Sequence, residues 1–314
     1  MKKYLNILFG ALSLLVLIMF FVPIVLVEDL SFSAFLLVFC TDFNSFSLIF
    51  LLPFVMLIAS FILLIFKEKN SNFITISFFL SVIAGILFLF FNSFYEFSVG
   101  LDSGTAENSV VVYILAIASF ALFLYCNSLV FKTYAFSVRD IVEVAMFVAL
   151  AIVLDLAIFK IKIVENGGSI SFIMVPLFIL ALRKGFVKGF ISLGIVFGLI
   201  SCMLDGYGFF TYPFDYLLGF GGLAVVGLFK KIILLENGKF TLKGVILLLV
   251  GSLVGLVVRT ISSTISGMII YQFNLIDSLV YQLTYIIPSG IISMVALVAL
   301  YKPILIINKL FPEK

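Results

Sequence analysis

The chain has 314 residues, 64% of them hydrophobic and 11% charged, with a mean hydropathy of +1.35 and a formal net charge of +3. Soluble domains average about 45–50% apolar and about 25% charged residues, so these proportions exclude a water-soluble fold. Histidine is absent, and the three cysteines (Cys40, Cys126, Cys202) are scattered, which removes the usual neutral-pH base, a disulfide framework and a cysteine metal cluster. We therefore expect no enzymatic activity, no cofactor and no metal; without a dense basic tract, we expect no nucleic-acid partner either.

A bilayer offers no water to stray backbone groups, so apolar segments within it must be helices or closed barrel strands. The runs here lack the strict alternation of barrel strands and predict an all-α polytopic membrane protein of about ten transmembrane helices. The first is Leu5–Val27. Its basic start resembles a signal peptide, but the apolar run is too long for a cleaved segment and has no small-residue cleavage site. Ser47–Phe66 follows, with Pro53 inside it, then Phe73–Phe91, Val110–Phe131 and Val142–Phe159. Ile170–Leu182 is short and is preceded by the polar, glycine-rich Glu165-Asn-Gly-Gly-Ser-Ile-Ser. Phe186–Leu204, Phe214–Phe229, Leu242–Ile270 (interrupted by Arg259-Thr-Ile-Ser-Ser-Thr) and Leu279–Leu300 complete the series.

Charge is sorted between these runs. Lys2, Lys3, Lys67, Lys69, Lys132, Arg139, Arg183, Lys184, Lys188, Lys230, Lys231, Lys239, Lys243, Lys302, Lys309 and Lys314 all fall in alternate gaps, which makes 16 of the 19 basic residues. The other gaps are mainly acidic: Glu28, Asp29, Asp42, Glu96, Asp102, Glu107, Glu165, Asp205 and Asp277. Because Lys/Arg bias sets orientation, both termini are expected in the cytoplasm. Composition divides the chain into a Phe- and Leu-rich four-helix extension, 1–135, and a six-helix part, 136–314, richer in Gly, Ala and Ser, which allow close helix approach.

Arg259 is the one strongly basic residue deep in a span, and an ion there is a functional-site hypothesis by default. Its best candidate partner is Asp215. Two readings stand: a structural Arg–Asp staple, or a polar cavity opening outward. Tyr207, Tyr212, Tyr216, Ser262, Ser263, Tyr271, Tyr281, Gln282 and Tyr285 gather at the same depth. Singly, such tyrosines are interfacial anchors; together with an acid they suit a flat organic cation held by ring faces and one carboxylate. Gly167, Gly168 and Ser169 lead into a helix, either as a tight turn or as a loop folding over a ligand. Ala145 and Ala149 form a small-residue strip that packs inside the bundle or against another subunit.

Several stretches, in order, resemble the thiamine-specific S component of energy-coupling-factor (ECF) transporters over about 139–311. They are Glu143-Val-Ala-Met-Phe-Val-Ala-Leu-Ala, Gly167-Gly-Ser-Ile-Ser with Met174-Val-Pro, and Ala181-Leu-Arg-Lys-Gly-Phe-Val-Lys-Gly189. Pro213-Phe-Asp-Tyr, Gly222 through Gly227-Leu-Phe, and Val280-Tyr-Gln-Leu-Thr-Tyr-Ile-Ile-Pro288 follow. The resemblance implies a six-helix protein of the bacterial cell membrane that binds its vitamin from outside. It also implies partners: a transmembrane coupling subunit and two ATPase subunits. Under it, Asp215 and Tyr216 look like the acidic-aromatic pair of the site, Gly167 to Ser169 like its lid, and Ala145 and Ala149 like the docking strip. Tyr271 stands where an aromatic is expected, Ser263 where the family has histidine, Gln282 where it has asparagine, and the loop between Gly206 and Asp215 looks shortened. Thiamine or a related cation is the implied ligand. Two rivals remain: a self-sufficient ten-helix secondary carrier, against which the lack of an internal repeat counts, and a non-transport membrane protein.

Overall fold

A computed structural model describes residues 2–28, 30–39, 47–68, 70, 72–100, 105–156, 159–162, 168–234 and 241–312. They form two compact units, Met1–Ala135 and Phe136–Lys314.

The first unit runs α1 (Lys2–Met19), β1 (Pro23–Val27), β2 (Leu30–Ser33), α2 (Ala34–Phe39), α3 (Leu52–Ile65), α4 (Asn72–Leu89), α5 (Phe91–Val99), β3 (Glu107–Asn108) and α6 (Val110–Thr133). The first helix ends earlier than the apolar run predicts. Pro23 cannot donate within a helix, and the residues after it, Ile-Val-Leu-Val, suit a pleated surface. They pair antiparallel with β2 and β3 in the order β2-β1-β3. Pro53 lies in the first turn of α3 rather than in its interior, where its missing N–H costs nothing. Phenylalanine rings fill the unit's core. Phe54 meets Phe20 at 5.2 Å and Phe88 at 5.1 Å, and Phe78 meets Phe123 at 4.8 Å. The Ser77 hydroxyl donates to the Ser60 carbonyl at 2.9 Å and joins α4 to α3.

The second unit runs α7 (Val138–Leu154), β4 (Ile161–Lys162), β5 (Ser169–Ile170), α8 (Met174–Lys184), α9 (Phe186–Asp205), α10 (Tyr212–Ile233), α11 (Leu242–Ile269) and α12 (Leu275–Leu310). Each predicted apolar segment thus has its helix. Among the described residues α4, α6, α9, α10, α11 and α12 are long and apolar enough to cross a bilayer. The protein is an all-α, multi-pass membrane protein.

Glycine sets the helix spacing in this unit. A Cβ on Gly227 in α10 would lie 2.6 Å from the Gly185 carbonyl carbon and 2.7 Å from the Ala181 oxygen, so α10 runs backbone-to-backbone against the α8–α9 corner. Gly185 turns that corner with φ of +79°, a conformation that favours glycine. In α11 the polar run at Arg259 does not interrupt the helix. Thr260 donates back to the Leu256 carbonyl at 2.9 Å, while Ser262 crosses to the Phe214 carbonyl at 2.6 Å. The last helix continues ten residues past the predicted end, with Pro288 and Pro303 inside it; membrane bundles tolerate such prolines by re-satisfying the freed carbonyls.

Of the basic residues sorted into the alternate gaps, Arg183 and Lys184 are buried. Lys184 Nζ lies 2.7 Å from both Asp140 Oδ1 and Glu143 Oε2, Lys188 Nζ lies 2.8 Å from Asp140 Oδ2, and Arg183 pairs with Glu143. Buried charges persist only when paired, and here the pairs tie α7 to the α8–α9 corner. Asp140 is also held by a capping box with Ser137 at the start of α7.

Candidate ligand-binding chamber

The antiparallel course of the second unit brings alternate helix ends together. The ends of α7, α9 and α11 meet the beginnings of α8, α10 and α12, and there they enclose a cavity of about 750 Å³. Ligand sites span about 300–1,000 Å³ and combine apolar walls with a few fixed polar groups. The paired charges around Asp140 and Lys184 belong to the start of α7 and the end of α8, the opposite end of these helices.

Asp215, Tyr216, Arg259, Ser263, Tyr271, Tyr281, Gln282, Gly168 and Ser169 all line this chamber. Gly167 lies outside the described residues. The structure thus gathers residues that span more than a hundred positions of sequence into one hollow.

The polar groups are individually positioned. Asp215 stands one turn into α10 and accepts a 2.5 Å hydrogen bond from Ser266 of α11. Tyr216 donates to Asp205 Oδ2 at 3.1 Å. Gln282 donates to the Ser263 carbonyl at 3.2 Å and accepts from the Tyr285 hydroxyl. Tyr281 and Tyr285 sit edge to face at 5.7 Å, and Tyr271 stacks on Phe273 at 6.2 Å. These arrangements offer ring faces beside carboxylates, the geometry that attracts cations.

The Arg–Asp staple is not what forms. Arg259 makes no ion pair with Asp215 within 4.0 Å; its guanidinium carbon instead lies 4.0 Å from the centre of the Phe220 ring. Asp215 is held instead by Ser266, further along α11.

The segment before α8 folds onto the chamber as β4 and β5, paired Ile161 to Ile170 and Lys162 to Ser169. The Gly168 N–H donates to the Tyr281 hydroxyl at 2.7 Å, and the Ser171 N–H donates to Ser289 at 3.2 Å, so both latches are on α12. A Cβ on Gly168 would run into the Tyr285 ring. Overpacking of this kind costs about 1–3 kcal/mol. Gly168→Ala is therefore expected to weaken ligand binding by roughly fivefold to a hundredfold, chiefly through faster dissociation. Stopped-flow binding kinetics check this; an unchanged off-rate argues against a lid at Gly168.

Sequence reasoning missed Asp155, Lys160 and Phe220 as lining residues, and placed Asp205 only among loop acids. A signal was present. Lys160 and Arg259 are two of the three basic residues that break the sorting of positive charge between the gaps, and both line the chamber. Lys160 reaches Asp155 at 2.9 Å.

Ala145 and Ala149 are not part of the chamber. Both are exposed on α7, on one stripe with Val142, Met146, Leu150 and Val153, while Val144, Val148 and Ala151 face inward. Of the two places left open for the alanine strip, the structure selects the outer face.

A multi-pass helical bundle around a polar, aromatic-walled chamber is the architecture of a membrane transport protein. Residues 141–308, more than half of the chain, match the thiamine transporter protein family (Thia_YuaJ), and the chain belongs to that family. It is 29% identical over 177 residues to the thiamine transporter ThiT of Bacillus subtilis (strain 168), covering 51% of this chain and 89% of that relative. ThiT from Listeria monocytogenes, a solved structure, is similar at 22% identity with a TM-score of 0.45, covering 52% of this chain and 94% of that one. The resemblance to the thiamine-specific S component is borne out, and the matches do not favour the ten-helix secondary carrier. The family match starts at residue 141, within the second unit.

Proposed function

We propose that this chain is the substrate-binding S component of an ECF-type importer and binds thiamine, or a closely related cation, in the chamber of its second unit. The observation that carries the reading is the convergence of Asp215, Asp205 and several tyrosines on one hollow at the end of the bundle away from the basic loops. By the positive-inside bias that end is extracellular, with both termini cytoplasmic, in a bacterial cell membrane. Asp215 and Asp205 supply countercharge, the Tyr216, Tyr271, Tyr281 and Tyr285 rings supply faces, and Ser263 and Gln282 supply hydrogen bonds to the ligand's heteroatoms. The β4–β5 strand pair and the neighbouring Gly168 and Ser169 close over the ligand.

The chain contains no GxxxxGK[ST] phosphate loop, so ATP-driven uptake requires separate ATPase subunits. The exposed stripe around Ala145 and Ala149 suits a helix of a transmembrane coupling subunit, because small residues let two backbones approach closely. The four-helix extension, 1–135, is read as a packing or partner-binding module.

Reconstitution tests this. Liposomes holding the chain with a coupling subunit and two ATPases are expected to accumulate thiamine when ATP is present inside, whereas the chain alone does not under any ion gradient. Uptake by the chain alone, driven by an ion gradient, would return the secondary carrier.

A further inference from the structure

Five acidic or basic side chains line the chamber: Asp155, Lys160, Asp205, Asp215 and Arg259. Four have polar partners. Asp155 and Lys160 hold each other at 2.9 Å, Asp205 accepts from Tyr216, and Asp215 accepts from Ser266. Arg259 differs. Its side chain is only 9% exposed, yet Nε and Nη1 are buried with no hydrogen-bond partner, and among the described residues it forms no ion pair. The Phe220 face beneath it attracts the charge but accepts no hydrogen bond of ordinary strength.

A buried guanidinium left this way is costly, and it would repel a ligand that brought only positive charge. An anion with several acceptor oxygens resolves both problems, because the planar fork of arginine matches phosphate and carboxylate in bidentate fashion. Thiamine carries its positive charge on the thiazolium ring and has a single hydroxyl, on a flexible ethyl arm. That hydroxyl is where an anionic group can be added without altering either ring, as a phosphate ester. A phosphomonoester adds a charge of about −1.5 to −2 near neutral pH. The chamber volume leaves space for it beside the rings.

We propose that Arg259 forms an anion subsite, and that the chamber takes thiamine monophosphate at least as well as thiamine. The proposal rests on the thiamine-class reading above. In this arrangement the acids and tyrosines receive the cationic ring, and the Arg259 guanidinium receives the phosphate.

Calorimetry on the purified full chain, with thiamine and thiamine monophosphate titrated separately, is the test. The wild-type protein is expected to bind the monophosphate as tightly as thiamine or more tightly. Arg259→Gln is expected to lower the ratio of monophosphate to thiamine affinity at least tenfold, with Arg259→Lys retaining part of the preference. Thiamine bound tenfold or more tightly than its phosphate by the wild type, or an Arg259→Gln variant that loses both ligands equally, overturns the anion subsite alone. If neither compound binds the wild type, the thiamine-class reading falls and takes the subsite with it. The wild-type comparison decides the matter even where a variant fails to fold.

Discussion

Ala149→Trp is expected to abolish uptake in the reconstituted importer while leaving thiamine affinity within about twofold of wild type, because the proposed docking stripe and the proposed binding chamber are different surfaces. Ala149 is exposed on α7 and does not line the chamber. It belongs to a stripe with Ala145, Met146 and Val153 whose small members let a partner helix come close. An indole there holds that helix away, and the partner's packing, a van der Waals contact in a membrane, falls off within about 1 Å of added gap. The inward-facing residues of α7, Val144 and Val148, are untouched, so the bundle and its chamber are retained. The check pairs uptake measurements with calorimetry on the same preparation. Normal uptake by the variant places the docking surface elsewhere; loss of binding along with uptake means that α7 supports the chamber.

The second large effect is expected at Asp215. Asp215→Asn keeps the side chain's shape, and Ser266 can still donate to the amide oxygen as it now donates to Oδ2. What is lost is the countercharge. Hydrogen bonds to charged groups contribute about 1.5–3 kcal/mol, so affinity for a cationic ligand should fall roughly tenfold or more. Calorimetry reads the change directly. Unchanged affinity removes Asp215 from the ligand's surroundings and shifts the countercharge to Asp205, which sits across the chamber with Tyr216 and Ser201 as its donors.

Much of this architecture is legible in the chain itself. Runs of apolar residues locate the helices because a bilayer tolerates nothing else. The first compact unit ends at Ala135. The chamber residues were legible for a related reason: an acid, an arginine and several phenols in otherwise apolar spans must share a wet space. Other features depend on groups far apart in sequence. Lys184 reads as a topological charge, and its ion pair with Asp140, 44 residues earlier, is not legible from the sequence. Lys302 and Pro303 read as a helix end, yet α12 runs through both because the bundle supplies what the proline removes. Arg259 and Asp215 share a depth without forming an ion pair; Ser266 reaches the carboxylate instead. Lys160 and Arg259 hold the more general lesson. Basic residues that violate the topological charge pattern carry an unexplained cost, and two of the three here line the chamber.

The most direct measurement is calorimetric titration of the purified, detergent-solubilised chain with thiamine. One-site, saturable binding that Asp215→Asn weakens at least tenfold is the predicted result. A flat titration up to millimolar thiamine, with no rise in melting temperature, contradicts a thiamine-binding chamber in the second unit.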